Sequence, residues 1–280
     1  MGRARYNPPP MSAASLKHRM HVAAMRRLTR VLKALGLREI VIRSRKSLSR
    51  ARRRRAEQRG SDRFSRPALH DMDRKLDAVL DRNGGFFVEA GANDGFTQSN
   101  TYWLERFRGW RGILIEPMPV YVEECRRERP GTPVVHAALV PAGHPGGTIN
   151  MQFGDLMSTV QGAHGDAAAE REWVEPGLVL GWRDPYEAEV PARTLSSILD
   201  EHHAPEVDLL SLDVEGFEPQ ALRGLDFDRH APRWILVEAH DLEAGRSAIE
   251  EVLRDLYVLE EQVSPLDLLY RRRDVASARS

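Results

Sequence analysis

The stretch Phe86-Phe87-Val88-Glu89-Ala90-Gly91-Ala92-Asn93-Asp94-Gly95 constrains this chain more than any other. Its first half is a short apolar run, which reads as a buried strand closed by a glycine turn. Residues 97–108 then read as a helix. A strand that feeds a helix through such a turn forms the ligand-binding corner of a doubly wound α/β sheet. Glycine permits the bend and lets backbone approach closely. The start of the helix leaves free N–H groups nearby.

The spacing of the glycines restricts the guest. A dinucleotide fingerprint needs G-x-G-x-x-G, and Asn93 stands where its second glycine would be. A pyrophosphate is therefore disfavoured, and an NAD-linked oxidoreductase with it. The form Glu-x-Gly-x-x-x-Gly suits S-adenosylmethionine, a cation with an amino-acid tail and no phosphate. No Gly-Lys-Ser/Thr occurs, which excludes a P-loop enzyme.

Further strands read at 112–116, 133–138, 148–153, 190–193, 207–213 and 234–238, with a closing pair at 257–263 and 268–272. Helices read at 67–82, 121–129, 195–203, 219–223 and 245–256, and Thr194 is placed to cap the third of these. Alternating strands and helices predict a mainly parallel sheet. Its ligand belongs at the carboxyl ends of the strands, and Glu89, Glu116, Asp213, Glu238 and His240 all fall on that edge. Glu116 ends the second strand, where a nucleoside-binding fold places an acid against the ribose hydroxyls. Residues 154–190 carry little pattern beyond a short helix near 167–173. A long insertion of this kind is expected to form a lid or substrate element, with Ser158 and Thr159 at its start. His202 and His203 are adjacent on a helix, do not share a face, and read as surface residues.

The net charge of zero conceals two opposite parts. Residues 1–66 hold 20 Lys/Arg and 3 Asp/Glu, whereas 67–280 hold 21 and 38. The first part reads as a separate basic arm: residues 1–10 disordered, an amphipathic helix over 16–37, and a second basic run at 43–66. Such an arm suits an anionic membrane surface. Nucleic acid is a poorer match, because Tyr6 and Phe64 are far apart and give no stacking platform. The single cysteine, Cys125, excludes an internal disulfide and fits a reducing, cytoplasmic compartment. No apolar run reaches membrane-spanning length, and no secretory signal pattern is present.

The chain resembles the FkbM-type methyltransferases, class I enzymes that use S-adenosylmethionine. The resemblance rests on Val88-Glu89-Ala90-Gly91-Ala92-Asn93-Asp94-Gly95, Leu114-Ile115-Glu116-Pro117, Leu212-Asp213-Val214-Glu215-Gly216-Phe217-Glu218 with Leu222-Arg223-Gly224, and Val237-Glu238-Ala239-His240. Ser99-Asn100-Thr101 with Leu104-Glu105 adds to it. It covers residues 86–240, poorly over 154–190. Glu89 departs from the family's more frequent Asp. The resemblance implies a mostly parallel, seven-stranded Rossmann-like sheet in a domain over 67–280. It also implies methyl transfer to a hydroxyl of a sugar, glycan or secondary metabolite. Gly91, Asn93 and Gly95 would face the methionine part of the cofactor, Glu89 its amino group and Glu116 its ribose. Asp94, Thr97 and Asn100 would line the same mouth, beside Asp213.

An alcohol acceptor needs its proton removed as it attacks. Asp213, Glu215 and His240 are the candidates, with His240 favoured because imidazole titrates near neutrality. Some class I oxygen methyltransferases hold Mg²⁺ at the ends of their fourth and fifth strands, where Asp213, Glu238 and His240 stand here. The competing expectation is a nucleoside-binding module of the same fold without catalysis.

Overall fold

The computed structural model describes residues 31, 34–165, 167–180, 184–240 and 243–276. The expectations for residues 1–10 and for most of the helix over 16–37 lie outside the described residues. Strands β1 (Phe86–Ala90), β2 (Arg111–Glu116), β3 (Val134–His136), β8 (Leu209–Leu212), β9 (Trp234–Glu238), β10 (Tyr257–Gln262) and β11 (Asp267–Arg272) form one seven-stranded sheet in the order β10-β11-β9-β8-β1-β2-β3. The five strands from β9 to β3 pair in parallel. Only β11 runs against β9, and β10 against β11. This is the mostly parallel Rossmann-like sheet expected. The chain leaves β1 toward β2 and β3, then returns to the other flank of β1 as β8. The switch point therefore lies at β1 and β8, and a ligand crevice opens beyond their carboxyl ends.

The alternation of side chains along each strand feeds two cores. Val88, Ala90, Ile113, Leu210, Leu212, Ile235 and Val237 enter one, with Leu195, Ile198, Leu222 and Leu253 from helices. Phe87, Leu114, Leu209 and Leu236 enter the other, with Leu76, Leu104 and Cys125. The sheet is thus covered on both faces. Glu89 has the parity of Phe87, so it is buried among helices on the second face.

The insertion is more ordered than its sequence suggests. Strands β4 (Ala138–Leu139), β5 (Thr148–Gln152), β6 (Thr159–Val160) and β7 (Glu187–Arg193) build a second sheet in the order β4-β7-β5-β6, and residues 167–180 form a helix longer than the one expected. The helix expected over 97–108 begins only at Tyr102. The five residues before it are held as a loop by a carboxylate described below.

The basic arm is not detached where it is described. Helix α1 (Arg38–Glu57) lies against the body. Lys46 donates to Asp94 at 2.8 Å and also bonds Glu124. Arg50 donates to Glu128 at 2.6 Å, and Arg53 bonds the same carboxylate. The Arg53 guanidinium also covers the Phe96 ring at 3.5 Å. Residue 66 therefore does not mark a break in packing. Acids at 124 and 128 draw in basic side chains that composition alone assigned to an external partner.

Candidate active site

Gly91 turns the chain at the tip of β1 with φ +82°, and its N–H donates to the Ile115 carbonyl at 3.1 Å. A Cβ there would lie 1.8 Å from the carbonyl oxygen of Asp213. Asn93 follows with φ +48°, a conformation asparagine tolerates better than most residues. Its backbone N–H donates to Glu116 Oε2 at 2.8 Å. The bend and the acid that ends β2 are thereby one unit.

The Glu89 carboxylate organises the next loop. It accepts from Asn100 N–H at 2.8 Å, from the Ser99 hydroxyl at 2.9 Å and from the Thr101 hydroxyl at 2.6 Å. Arg129, which is 0% exposed, lies 3.0 Å from the same carboxylate and also pairs with Glu105. The Asn100 N–H is thereby satisfied without a helical turn, the side chains on either side of it are held to the same carboxylate, and the helix starts only at Tyr102. Asp94 closes the bend in a similar way, accepting from Phe96 and Thr97 N–H at 3.0 and 2.7 Å.

A cleft opens between this bend, the ends of β2 and β8, and the insertion. Glu89, Gly91, Asn93, Thr97, Asn100, Glu116, Asp213 and Glu215 line it, as do Ser158 and Tyr121. Three predicted residues are not brought to it: Asp94, Gly95 and His240, the last of which stands behind Glu215 and Glu238. Asp94 faces Lys46, and Gly95 packs on helix 119–128, where a Cβ would come within 3.1 Å of Cys125 Cα. Glu116 is fully enclosed, and burial pushes its pKa up to about 8 despite bonds from Met118 and Asn93 N–H.

The far wall is an acid cluster at the ends of β8 and β9. Glu215 sits at φ +56°, and its loop is tied by Glu218, which accepts from Val214 and Gly216 N–H at 3.0 and 3.1 Å. His240 Nε2 lies 2.8 Å from Glu238 and 3.4 Å from Glu215. The insertion covers them: Trp173 meets the His240 ring edge-on at 4.5 Å and stacks on His164 at 3.8 Å. Thr159 donates to the Glu215 carbonyl at 3.0 Å. Burial alone would lower the His240 pKa, but Glu215 and Glu238 raise it to about 10. The expected near-neutral base is thus pushed toward its protonated form, which has no free lone pair to accept a proton. Burial, then the charges of Glu238 and Glu215, raises the pKa of Asp213 well above the usual carboxylate range. Its Oδ1 is buried without a hydrogen-bond partner.

Donor atoms of Glu215, Glu238 and His240 lie within 4.8 Å of one another, so Glu215 takes the place expected for Asp213 in a metal set. Mg²⁺ demands oxygen ligands in near-octahedral array. The two glutamates supply oxygen but the third donor of the set, the His240 imidazole, is nitrogen, so this cluster is a poor match for Mg²⁺. His202 and His203 are both exposed, as expected.

Sequence reasoning missed Lys46, Arg129, Trp173 and His164. Arg129 precedes Pro130-Gly131 and reads locally as a helix end. Nothing near it in the chain reveals that its partners are Glu89 and Glu105.

Three raised groups set a pH dependence. Glu218, Glu116 and His240 have folded-state values of about 7, about 8 and about 10, each above its ordinary value. The folded chain therefore binds more protons than the unfolded one, and stability falls as pH rises through those values. Glu218 and Glu116 lose this stabilisation between the ordinary value of 4.5 and about 7 and about 8, and His240 between 6.5 and about 10, so the thermal midpoint of the ligand-free protein is expected to drop from about pH 5 to about pH 10. A flat or rising midpoint over that window contradicts the assignment.

Residues 89–264 match the methyltransferase FkbM domain. Comparison with curated proteins finds no match. Among solved structures, an FkbM methyltransferase from Methylobacillus flagellatus KT is 16% identical with a TM-score of 0.40, and the alignment covers 67% of this chain and 43% of that one. A TehB-like SAM-dependent methyltransferase from Corynebacterium glutamicum is 12% identical, TM-score 0.39, covering 80% and 95%. A precorrin-6y C5,15-methyltransferase from Geobacter metallireducens is 13% identical, TM-score 0.39, covering 72% and 87%. With the family match spanning more than half of its length, the chain belongs to the FkbM methyltransferase family of S-adenosylmethionine-dependent enzymes.

Proposed function

We propose that this chain moves a methyl group from S-adenosylmethionine to a hydroxyl oxygen of a sugar, glycan or secondary metabolite. The observation that carries the reading is the cleft that joins Gly91, Asn93 and Glu116 at one wall to Asp213 and Glu215 at the other. Glu116 lines the cleft at the tip of β2, and each of its oxygens keeps a further lone pair beyond the bonds from Met118 and Asn93 N–H, which supports it as the acceptor for ribose hydroxyls and the nucleoside anchor. Asn93, Thr97 and Asn100 line the mouth beside it. Glu89 acts through the loop it holds, and Asp94 and Gly95 through the shape of the bend.

When bound, the cofactor supplies a methyl already activated by a sulfonium, so the protein has to align the acceptor and exclude water. Trp173 and the insertion shield the far wall. Asp213 Oδ1 is an acceptor in need of a donor, which suits an alcohol O–H. Its pKa is raised by burial and by Glu238 and Glu215, which makes it a stronger base than an ordinary carboxylate. Glu215 lines the cleft beside it, and His240 holds Glu215 and Glu238 in place as their counter-charge.

The experiment follows methyl incorporation from labelled cofactor into hydroxylated acceptors. Asp213→Asn is expected to lower kcat by about 10²- to 10⁴-fold while adenosylhomocysteine still binds. Unchanged turnover in that variant would falsify the base assignment. Cofactor binding with no transfer to any hydroxyl by the wild type would favour a non-catalytic binding module.

A further inference from the structure

We infer that the outward side of helix α1 is a docking surface for an anionic lipid bilayer. The helix has two sides with different work. Ile42, Lys46, Arg50 and Arg53 recur at three- and four-residue spacing and face the body, where the cations are consumed by Asp94, Glu124 and Glu128. The opposite side carries Ile40 and Leu48, which are 59% and 73% exposed, beside the exposed Arg52 and Arg55, with the exposed Arg43 on its flank and the exposed Arg59 just past the helix end. Arg52 lies over the Phe64 ring at 4.2 Å. Arg43, Arg55 and Arg59 enter no ion pair among the described residues.

Charge and shape agree on the occupant. Apolar side chains between arginines match the boundary of headgroup and acyl chain, where the first bury and the second meet phosphate. A nucleic acid would satisfy the arginines but leave Leu48 and Ile40 with nothing to bury against. The rest of the molecule adds orientation: residues 67–280 hold 38 acids against 21 bases, so the body is repelled by the surface that attracts the helix. Because Lys46 on the inner side bonds Asp94 in the bend after β1, the docked helix also fixes the cleft relative to the bilayer. The inference stands apart from the proposed reaction and does not require it.

The test is sedimentation of the full chain with phosphatidylcholine vesicles, with and without phosphatidylglycerol. The wild type is expected to bind only the anionic vesicles, and less so as salt is raised. R43E/R55E/R59E is expected to weaken that binding roughly 100-fold or more. I40S/L48S is expected to weaken it by about tenfold. Both variants should keep the wild-type thermal midpoint and adenosylhomocysteine affinity, since none of these side chains touches the cleft. Wild-type protein that ignores anionic vesicles would overturn the inference. So would variants that bind them unchanged, or a wild type that binds duplex DNA or RNA more tightly than vesicles.

Discussion

Gly91→Ala is expected to give a protein that no longer binds adenosylhomocysteine and melts at a clearly lower temperature. The new methyl would lie 1.8 Å from the Asp213 carbonyl oxygen and 2.9 Å from its carbon. Neither is the end of a flexible side chain. Both belong to the backbone that leaves β8, and Asp213 N–H is bonded to the Ala90 carbonyl at 3.1 Å. Relief requires β1 and β8 to part at the point where the cleft is built. A residue with a Cβ also resists φ +82°. Together these effects cost about 2–5 kcal/mol. Gly84→Ala is the control. Gly84 also has positive φ, at +70°, but a Cβ there meets nothing within 4 Å, so only the backbone strain remains. Thermal melts and calorimetric titration of the two variants separate the terms. Wild-type binding by Gly91→Ala would contradict the close approach of the two strand tips.

Arg129→Leu is expected to be equally damaging for an electrostatic reason. The guanidinium donates to Glu105 at 2.7 Å, to Glu89 at 3.0 Å and to the Thr101 hydroxyl at 3.0 Å, and none of it reaches solvent. Its removal leaves Glu89 charged and buried with only neutral donors. Breaking one side of such a pair costs about 3–5 kcal/mol. The loop at 97–101 is held by the same carboxylate, so cofactor affinity should fall along with stability. The double variant Arg129→Leu with Glu89→Gln is expected to recover part of the loss, because it removes the stranded charge. Chemical denaturation of the three variants reads this directly. A single variant as stable as the wild type would contradict the account.

The parallel strands were legible because strands buried on both faces read as short apolar runs, and here an acid or a glycine closes most of them. Phe86–Ala90, Arg111–Glu116, Leu209–Leu212 and Trp234–Glu238 stand where the sequence placed them, within a residue or two. What was not legible depends on partners distant in the chain. The helix after the bend starts late because Glu89, ten residues earlier in sequence than Ser99, bonds the loop first. Strand Glu187–Arg193 pairs with Thr148–Gln152 across a long insertion, and its alternation alone does not reveal that partner. The arm reads as basic from composition, but which of its cations are consumed depends on Glu124 and Glu128. His240 looks like a neutral switch until Glu215 and Glu238 are seen on either side of it.

The central claim is that Glu116, tied to the bend through Asn93, anchors the nucleoside of S-adenosylmethionine at the switch point. Calorimetric titration of adenosylhomocysteine into the wild type and Glu116→Ala tests it most directly. The wild type is expected to give saturable heat at a single site, and the variant to bind roughly 10- to 100-fold more weakly. Absence of heat from the wild type, or equal affinity in the two proteins, would contradict it.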